Sequence, residues 1–136
     1  MSSNMQLVIY EGYLADDPEM RYMSNGKPVT NFRIGSNREY TTADGKKVKE
    51  TTWLKCTAWG KLGEEVINKY CAKGSWVIVT GILRVGENGS PATYQTSKGD
   101  WAASYEITVD KIRILKGKQG APDGEASVED AGDVPF

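Results

Sequence analysis

Along most of the chain, apolar side chains alternate with polar ones at a period of two, the pattern of strands that bury one face. Residues 5–14 are rich in β-branched and aromatic side chains and predict a first strand, which the Ala15-Asp16-Asp17-Pro18 segment breaks. Arg21-Tyr22-Met23 forms a short extended piece before Ser24-Asn25-Gly26-Lys27, whose Asn-Gly marks a turn. A second strand spans 29–40, with Thr30, Phe32 and Ile34 alternating against Asn31, Arg33 and Gly35. The Ala43-Asp44-Gly45-Lys46 stretch turns the chain into a third strand, 48–59. There alternation separates Leu54, Cys56 and Ala58 from Trp53, Lys55, Thr57 and Trp59. The first set supplies core. The second leaves two large aromatics flanking a lysine on the opposite face.

Periodicity then changes. Over 61–72, Leu62, Val66 and Tyr70 recur at four-residue spacing with Ile67 and Cys71 beside them, and Gly74 follows as a stop. This predicts one amphipathic helix of about three turns. Residues 76–83 read as a β-branched strand, 86–91 as a loop, and 92–96 with 101–109 as a hairpin across Ser97-Lys98-Gly99-Asp100. A last strand, 112–115, closes the folded region. Beyond Lys116 the composition turns to Gly, Ala, Asp, Glu and Pro, from which no core can be built. The domain expectation is therefore 1–116 as one folded unit and 117–136 as a flexible linker and acidic tip. Three strands, a helix and two strands are the order of the all-β, five-stranded OB-fold barrel, with its helix between strands 3 and 4 and here a disordered acidic C-terminal tail.

Composition narrows the chemistry. The 136 residues contain 39% hydrophobic and 26% charged side chains, within the globular range and enough for one domain. No apolar run reaches the length of a span or a signal segment, so the expected location is cytoplasmic and nucleoid-associated, or the host cytoplasm if phage-encoded, with no membrane partner. There is no histidine, which removes the usual general base, the common nucleophile pairs and the commonest metal ligand. Cys56 and Cys71 have neither metal-ligand nor framework spacing and read as buried free thiols. No enzyme, metal or cofactor is expected. Paired acids such as Asp16-Asp17 and Glu64-Glu65 sit in a turn and on a helix face, where solvation accounts for them.

Charge adds a direction. Residues 119–136 hold five acids and no base, so the other 118 residues carry 17 basic and 13 acidic groups, net +4 beside a tail of net −5. On charge alone, a basic body beside an acidic tail suits either a polyanionic ligand or a solvated surface with a disordered tail. A single nucleic-acid strand offers phosphates and flat base faces, and binding it without sequence preference takes a cationic groove lined with stacking aromatics. Trp53 and Trp59 are the strongest stacking candidates, with Tyr40 and Tyr94 as extensions of the surface. Lys55, Lys61, Lys73, Arg33, Arg38 and Arg84 are the phosphate-contact candidates, and Lys46-Lys47-Val48-Lys49 could close over the strand. A lone strand aromatic is more often core, and Trp76, which shares parity with Ile78, is assigned to the core or a subunit contact. For Trp53 and Trp59 that reading fails, because burying both would bury Lys55 between them.

Several blocks together resemble the bacterial-type single-stranded DNA-binding proteins. Asp17-Pro18-Glu19-Met20-Arg21-Tyr22-Met23-Ser24-Asn25-Gly26 resembles the family's Asp-Pro-Glu-x-Arg-Tyr block. Thr52-Trp53, Trp59-Gly60-Lys61-Leu62, Lys73-Gly74-Ser75 and Gly81-x-Leu83-Arg84 match further blocks in the right order. The resemblance implies bases stacked on Tyr40, Trp53, Trp59 and Tyr94, and a homotetramer that protects single-stranded DNA in replication, recombination and repair. Gly132-Asp133-Val134-Pro135-Phe136 resembles the family's terminal tip, which implies docking of replication and repair proteins on Asp130, Asp133, Val134, Pro135 and Phe136. A second reading keeps the fold and makes the aromatic face a protein-binding or RNA-binding surface in a replication-restart or phage complex.

Overall fold

The computed structural model describes residues 3–118 and the backbone course of 124–127. The strands are β1 (Val8–Leu14), β2 (Glu19–Tyr22), β3 (Pro28–Thr41), β4 (Lys47–Trp59), β5 (Trp76–Arg84), β6 (Ala92–Gln95), β7 (Trp101–Lys116) and β8 (Gly124–Ser127). A five-stranded barrel follows the order β1-β5-β7-β4-β3 and closes where Tyr13 and Leu14 of β1 meet Gly35 and Ile34 of β3. Within it the β4–β7 contact, Leu54–Thr57 against Tyr105–Thr108, is parallel and the other pairings are antiparallel. This is the barrel that the element order implies, with its helix between the third and fourth barrel strands.

Alternation fills the interior. Phe32 and Ile34 of β3, Leu54, Cys56 and Ala58 of β4, Val77 and Val79 of β5, and Ile107, Val109, Ile112 and Ile114 of β7 form one buried cluster. The helix between β4 and β5 packs Leu62, Val66 and Ile67 into the same cluster, each fully buried and each contributing about 1.5–3 kcal/mol of transfer free energy. No helix among the described residues is long and apolar enough to cross a membrane.

Three expectations are corrected. The helix is shorter than 61–72 and is wound as a π-helix over Leu62–Ile67 before an α-turn at Asn68–Tyr70. Asn68 holds the wide turn: its backbone N–H and its Nδ2 both donate to the Gly63 carbonyl, and Nδ2 also donates to Thr30 Oγ1 at 2.7 Å. The two strands read at 101–109 and 112–115 are one strand, β7. Buried positions change parity between Val109 and Ile112 because Asp110 is an extra residue: Gly81 pairs with Val109 while Thr80 pairs with Lys111. Trp76 is not core; Val77 and Val79 take the inner positions, and Trp76 stacks on Tyr13 outside the barrel, donating from Nε1 to Glu11 at 3.0 Å. Within 117–136, read as linker and tip, the backbone of Gly124–Ser127 runs antiparallel to β7 beside residues 111–114. The proposed docking residues Asp130, Asp133, Val134, Pro135 and Phe136 lie outside the described residues.

Candidate nucleic-acid interface

The outer face of the β3–β4 pair is a ladder of directly opposed residues: Asn31 with Thr57, Arg33 with Lys55, Gly35 with Trp53, and Asn37 with Thr51. Because Leu54, Cys56 and Ala58 turn inward, Trp53, Lys55 and Trp59 must turn outward. Trp53 is 52% exposed and Trp59 37%. Gly35 shapes the first of these: a Cβ there would sit 2.9 Å from the Trp53 ring, so the missing side chain lets the indole lie across β3. The Arg33 guanidinium lies 5.2 Å from the Trp53 ring centre, and the Lys27 ammonium 5.5 Å from that of Trp59. Such cation–ring contacts hold charge and aromatic surface side by side.

An open groove of ≈ 710 Å³ runs over this ladder, walled by Arg33, Trp53 and Lys55 on one side and by Tyr94, Ser104 and Tyr105 of the β6–β7 hairpin on the other. Tyr94 faces Ala102 across that hairpin, on the side that carries Glu106 toward Lys55. A second groove of ≈ 380 Å³ continues past Lys55 to Arg21, Asn31, Thr57 and Arg84. Together they form one path in which aromatic surface lies at one end and three cations at the other.

Three arginines on and beside this path are already paired. Arg33 meets Asp16 at 3.1 Å, Arg38 meets Glu50 at 3.4 Å, and Arg84 meets Glu106 at 3.3 Å. The Arg33 and Arg38 pairs are exposed on both sides, where such a contact is worth about 0–1 kcal/mol, so a phosphate can take the carboxylate's place at little cost. Glu106 differs: its side chain is 12% exposed and also accepts from Ser104 Oγ at 2.8 Å, which fixes Arg84 at the groove wall.

The sequence-derived residues do not all converge here. Arg33, Trp53, Lys55, Arg84 and Tyr94 line the path, and Trp59 continues the Trp53 face at the end of β4. Tyr40 and Arg38 fall on the other side of the hairpin, because the alternation that buries Phe32 and Ile34 puts even-numbered positions of β3 there. The Arg38 guanidinium lies 4.6 Å from the Tyr40 ring centre, and a hydrogen bond with Glu50, aided by that carboxylate's charge, raises the Tyr40 pKa. Lys61 precedes the helix and Lys73 follows it, and neither lines the path. Residues that the sequence reading passed over include Arg21, Thr51, Thr52 and Tyr105. Tyr105 shares the parity of Ile107 and Val109 and so reads as core, but it lies where β7 leaves the barrel and is exposed.

Known proteins with similar features agree on one class. The model of the single-strand binding protein family matches residues 5–115. A single-stranded DNA-binding protein of Caldanaerobacter subterraneus subsp. tengcongensis is 34% identical over 123 residues, covering 90% of this chain and 76% of its own. That of Neisseria meningitidis serogroup A is 31% identical over 123 residues, covering 88% and 67%. The barrel superimposes on a Plasmodium falciparum SSB in complex with ssDNA with a TM-score of 0.69 at 17% identity, covering 85% of this chain and 99% of that one. A small single-stranded DNA-binding protein from Streptomyces coelicolor gives 0.66 at 22% identity, covering 82% and 95%.

Proposed function

This chain belongs to the single-strand binding protein family, and from that premise we propose that it coats single-stranded DNA in replication, recombination and repair. The observation that carries the reading is the outward face of β4, where Trp53, Lys55 and Trp59 stand exposed over a fully packed inner face. Bases stack on Trp53, Trp59 and Tyr94, while Arg33, Lys55 and Arg84 meet phosphates. Tyr40 and Arg38 extend the contact around the tip of the β3–β4 hairpin, and Lys61 and Lys73 add charge beyond the groove. Duplex DNA fits poorly, because its bases are stacked inside and offer no faces to the indoles.

The same reading assigns assembly and recruitment. Ile9, Tyr13, Trp76 and Ile78 leave aromatic and aliphatic surface on the outer side of the β1–β5 pair, and a homotetramer would cover it. Asp130, Asp133, Val134, Pro135 and Phe136 form the docking tip for replication and repair proteins, an aromatic ring beside acids suited to a basic, partly apolar pocket. The test is tryptophan fluorescence on titration with oligo-dT, run with and without added salt and against duplex of equal length. Quenching by the single strand alone, weakening as salt rises, is the expected result. Equal affinity for duplex would contradict it.

A further inference from the structure

Trp101 is 72% exposed and Tyr105 66%, the highest values of any aromatic side chain among the described residues. Both stand on β7 with the same parity, so about 13 Å of strand separates them, and the one residue of that parity between them is Ala103. Across the hairpin Ala103 faces Thr93 and Trp101 faces Gln95. The strip is two rings over a low floor. Among the described residues neither ring stacks on another aromatic or holds a cation, whereas Trp76 is held by Tyr13 and Glu11. Aromatic surface left open to this extent marks a contact.

Register places the strip. Tyr105 opposes Leu54, and Leu54 opposes Ile34, so Trp101 and Tyr105 share the inward parity of the barrel strands and stand on the far side of the β6–β7 hairpin from Tyr94. The same parity carries Arg38 and Tyr40 on the β3–β4 hairpin. Pairing between β4 and β7 begins at Leu54 and Tyr105; upstream of that point the two hairpins leave the same end of the barrel with no ladder joining them. The first groove occupies the gap. Its walls include Trp53 and Lys55 of one parity and Thr52 and Tyr105 of the other, so residues of both sides line one space.

That continuity names the occupant. A strand lying on Trp53 and Lys55 reaches Tyr105 without leaving the groove, and Trp101 stands next on the same face of β7. The low floor at Ala103 leaves room for bases between the rings, and Arg38, whose pair with Glu50 is exposed, offers charge on that side. We propose that Trp101 and Tyr105 form a second stacking surface for single-stranded DNA on the reverse of the β6–β7 hairpin, taking the strand as it passes between the two hairpins from the Trp53 face; this rests on the proposed binding of single-stranded DNA. Tyr105 is the shared wall and Trp101 the outer platform.

The test uses the full chain with Trp53, Trp59 and Trp76 replaced by Phe, which keeps a ring at each position and leaves Trp101 as the only indole. Binding is followed separately by the anisotropy of fluorescein-labelled oligo-dT. Trp101 emission should be quenched in step with the rise in anisotropy. In the otherwise unaltered chain, Trp101→Ala should weaken oligo-dT binding about fivefold or more, the lower end for a lost base stack, with melting temperature unchanged. Trp101 is exposed beyond the barrel, so this variant reads out even if the triple replacement disturbs folding. Binding with Trp101 emission unmoved, or Trp101→Ala affinity within about twofold of the unaltered chain, would overturn the proposal while leaving single-strand binding intact. So would a Trp101→Ala protein that binds oligo-dT normally but loses assembly in light scattering, which would make the strip a contact between copies of the chain. If the unaltered chain gives no anisotropy change with oligo-dT, the proposed function itself fails.

Discussion

At the scale of single residues, Trp53 depends on what Gly35 lacks. The indole lies over a position without a side chain, and any Cβ there meets the ring at 2.9 Å. Gly35→Ala should therefore weaken oligo-dT binding, in the direction of Trp53→Ala but by less, since the ring can shift rather than disappear. Trp53→Ala and Trp59→Ala should each cost roughly 1–3 kcal/mol of binding, the usual worth of a lost base stack, with melting temperature little changed. A Trp53→Ala protein that no longer folds would mean the ring is structural. The cysteines make the opposite case. Cys56 and Cys71 are buried, and that burial pushes both thiols up to about 12 from an ordinary 9.0. Both stay protonated and shielded at about pH 8, so an aromatic disulfide reagent should modify neither until denaturant is added. The sign follows from the raised values. The neutral buried thiol is the stable form below the ordinary value, and its contribution to stability is lost as pH climbs from there toward about 12. Rapid modification of either native thiol would contradict its burial.

At the scale of elements, the β5–β7 pair carries the barrel's sharpest local constraint. Asp110 is the extra residue of a bulge, and opposite it a Cβ on Gly81 would sit 2.0 Å from the Thr108 carbonyl oxygen. Backbone cannot give way as a side-chain tip can. Gly81→Ala should thus destabilise the fold by at least about 1–3 kcal/mol, read as a lowered midpoint in denaturant, and a neutral outcome would mean the bulge lies elsewhere. The same bulge explains where the sequence pattern misleads. Ile107 and Val109 are in phase and Ile112 and Ile114 are in phase, but the two sets are out of phase with each other, so alternation alone reads two strands. Where register is unbroken, as in β4, alternation names the buried set Leu54, Cys56, Ala58 and the outward set Trp53, Lys55, Trp59 directly. Thr57, of outward parity, is nonetheless covered, because its neighbour Asn31 and the second groove's walls shield it. Tyr40 shows a further limit: alternation gives its side of the hairpin, but not that the hairpin outruns the barrel and opens that side to solvent. β2 and β8 are each four residues long and carry too few positions for a period to register.

At the scale of the whole molecule, the charge division places a basic barrel beside an acidic C-terminal stretch, and Gly124–Ser127 lies along β7 on the barrel's own surface. Glu129, Asp130 and Asp133 follow that strand in the sequence, and their charge has the sign of the phosphates that a cationic path attracts. Deleting residues 128–136 should leave melting unchanged and hold or modestly raise oligo-dT affinity at low salt, while removing capture of replication and repair proteins; weakened DNA binding would make the segment part of the interface instead. Trp76→Ala should lower the assembly state seen by light scattering and leave the aromatic groove intact, since Trp76 packs on Tyr13 on the opposite side of the barrel wall from the core. The central claim is that the outward face of β4 is where single-stranded DNA lies. Its most direct measurement is tryptophan quenching by oligo-dT in a protein whose Trp76 and Trp101 have been replaced by Phe, leaving Trp53 and Trp59 as the only reporters. The account predicts deep, saturable, salt-sensitive quenching with single strand and little with duplex. Binding that proceeds with no change at those two rings would place the DNA elsewhere on the protein.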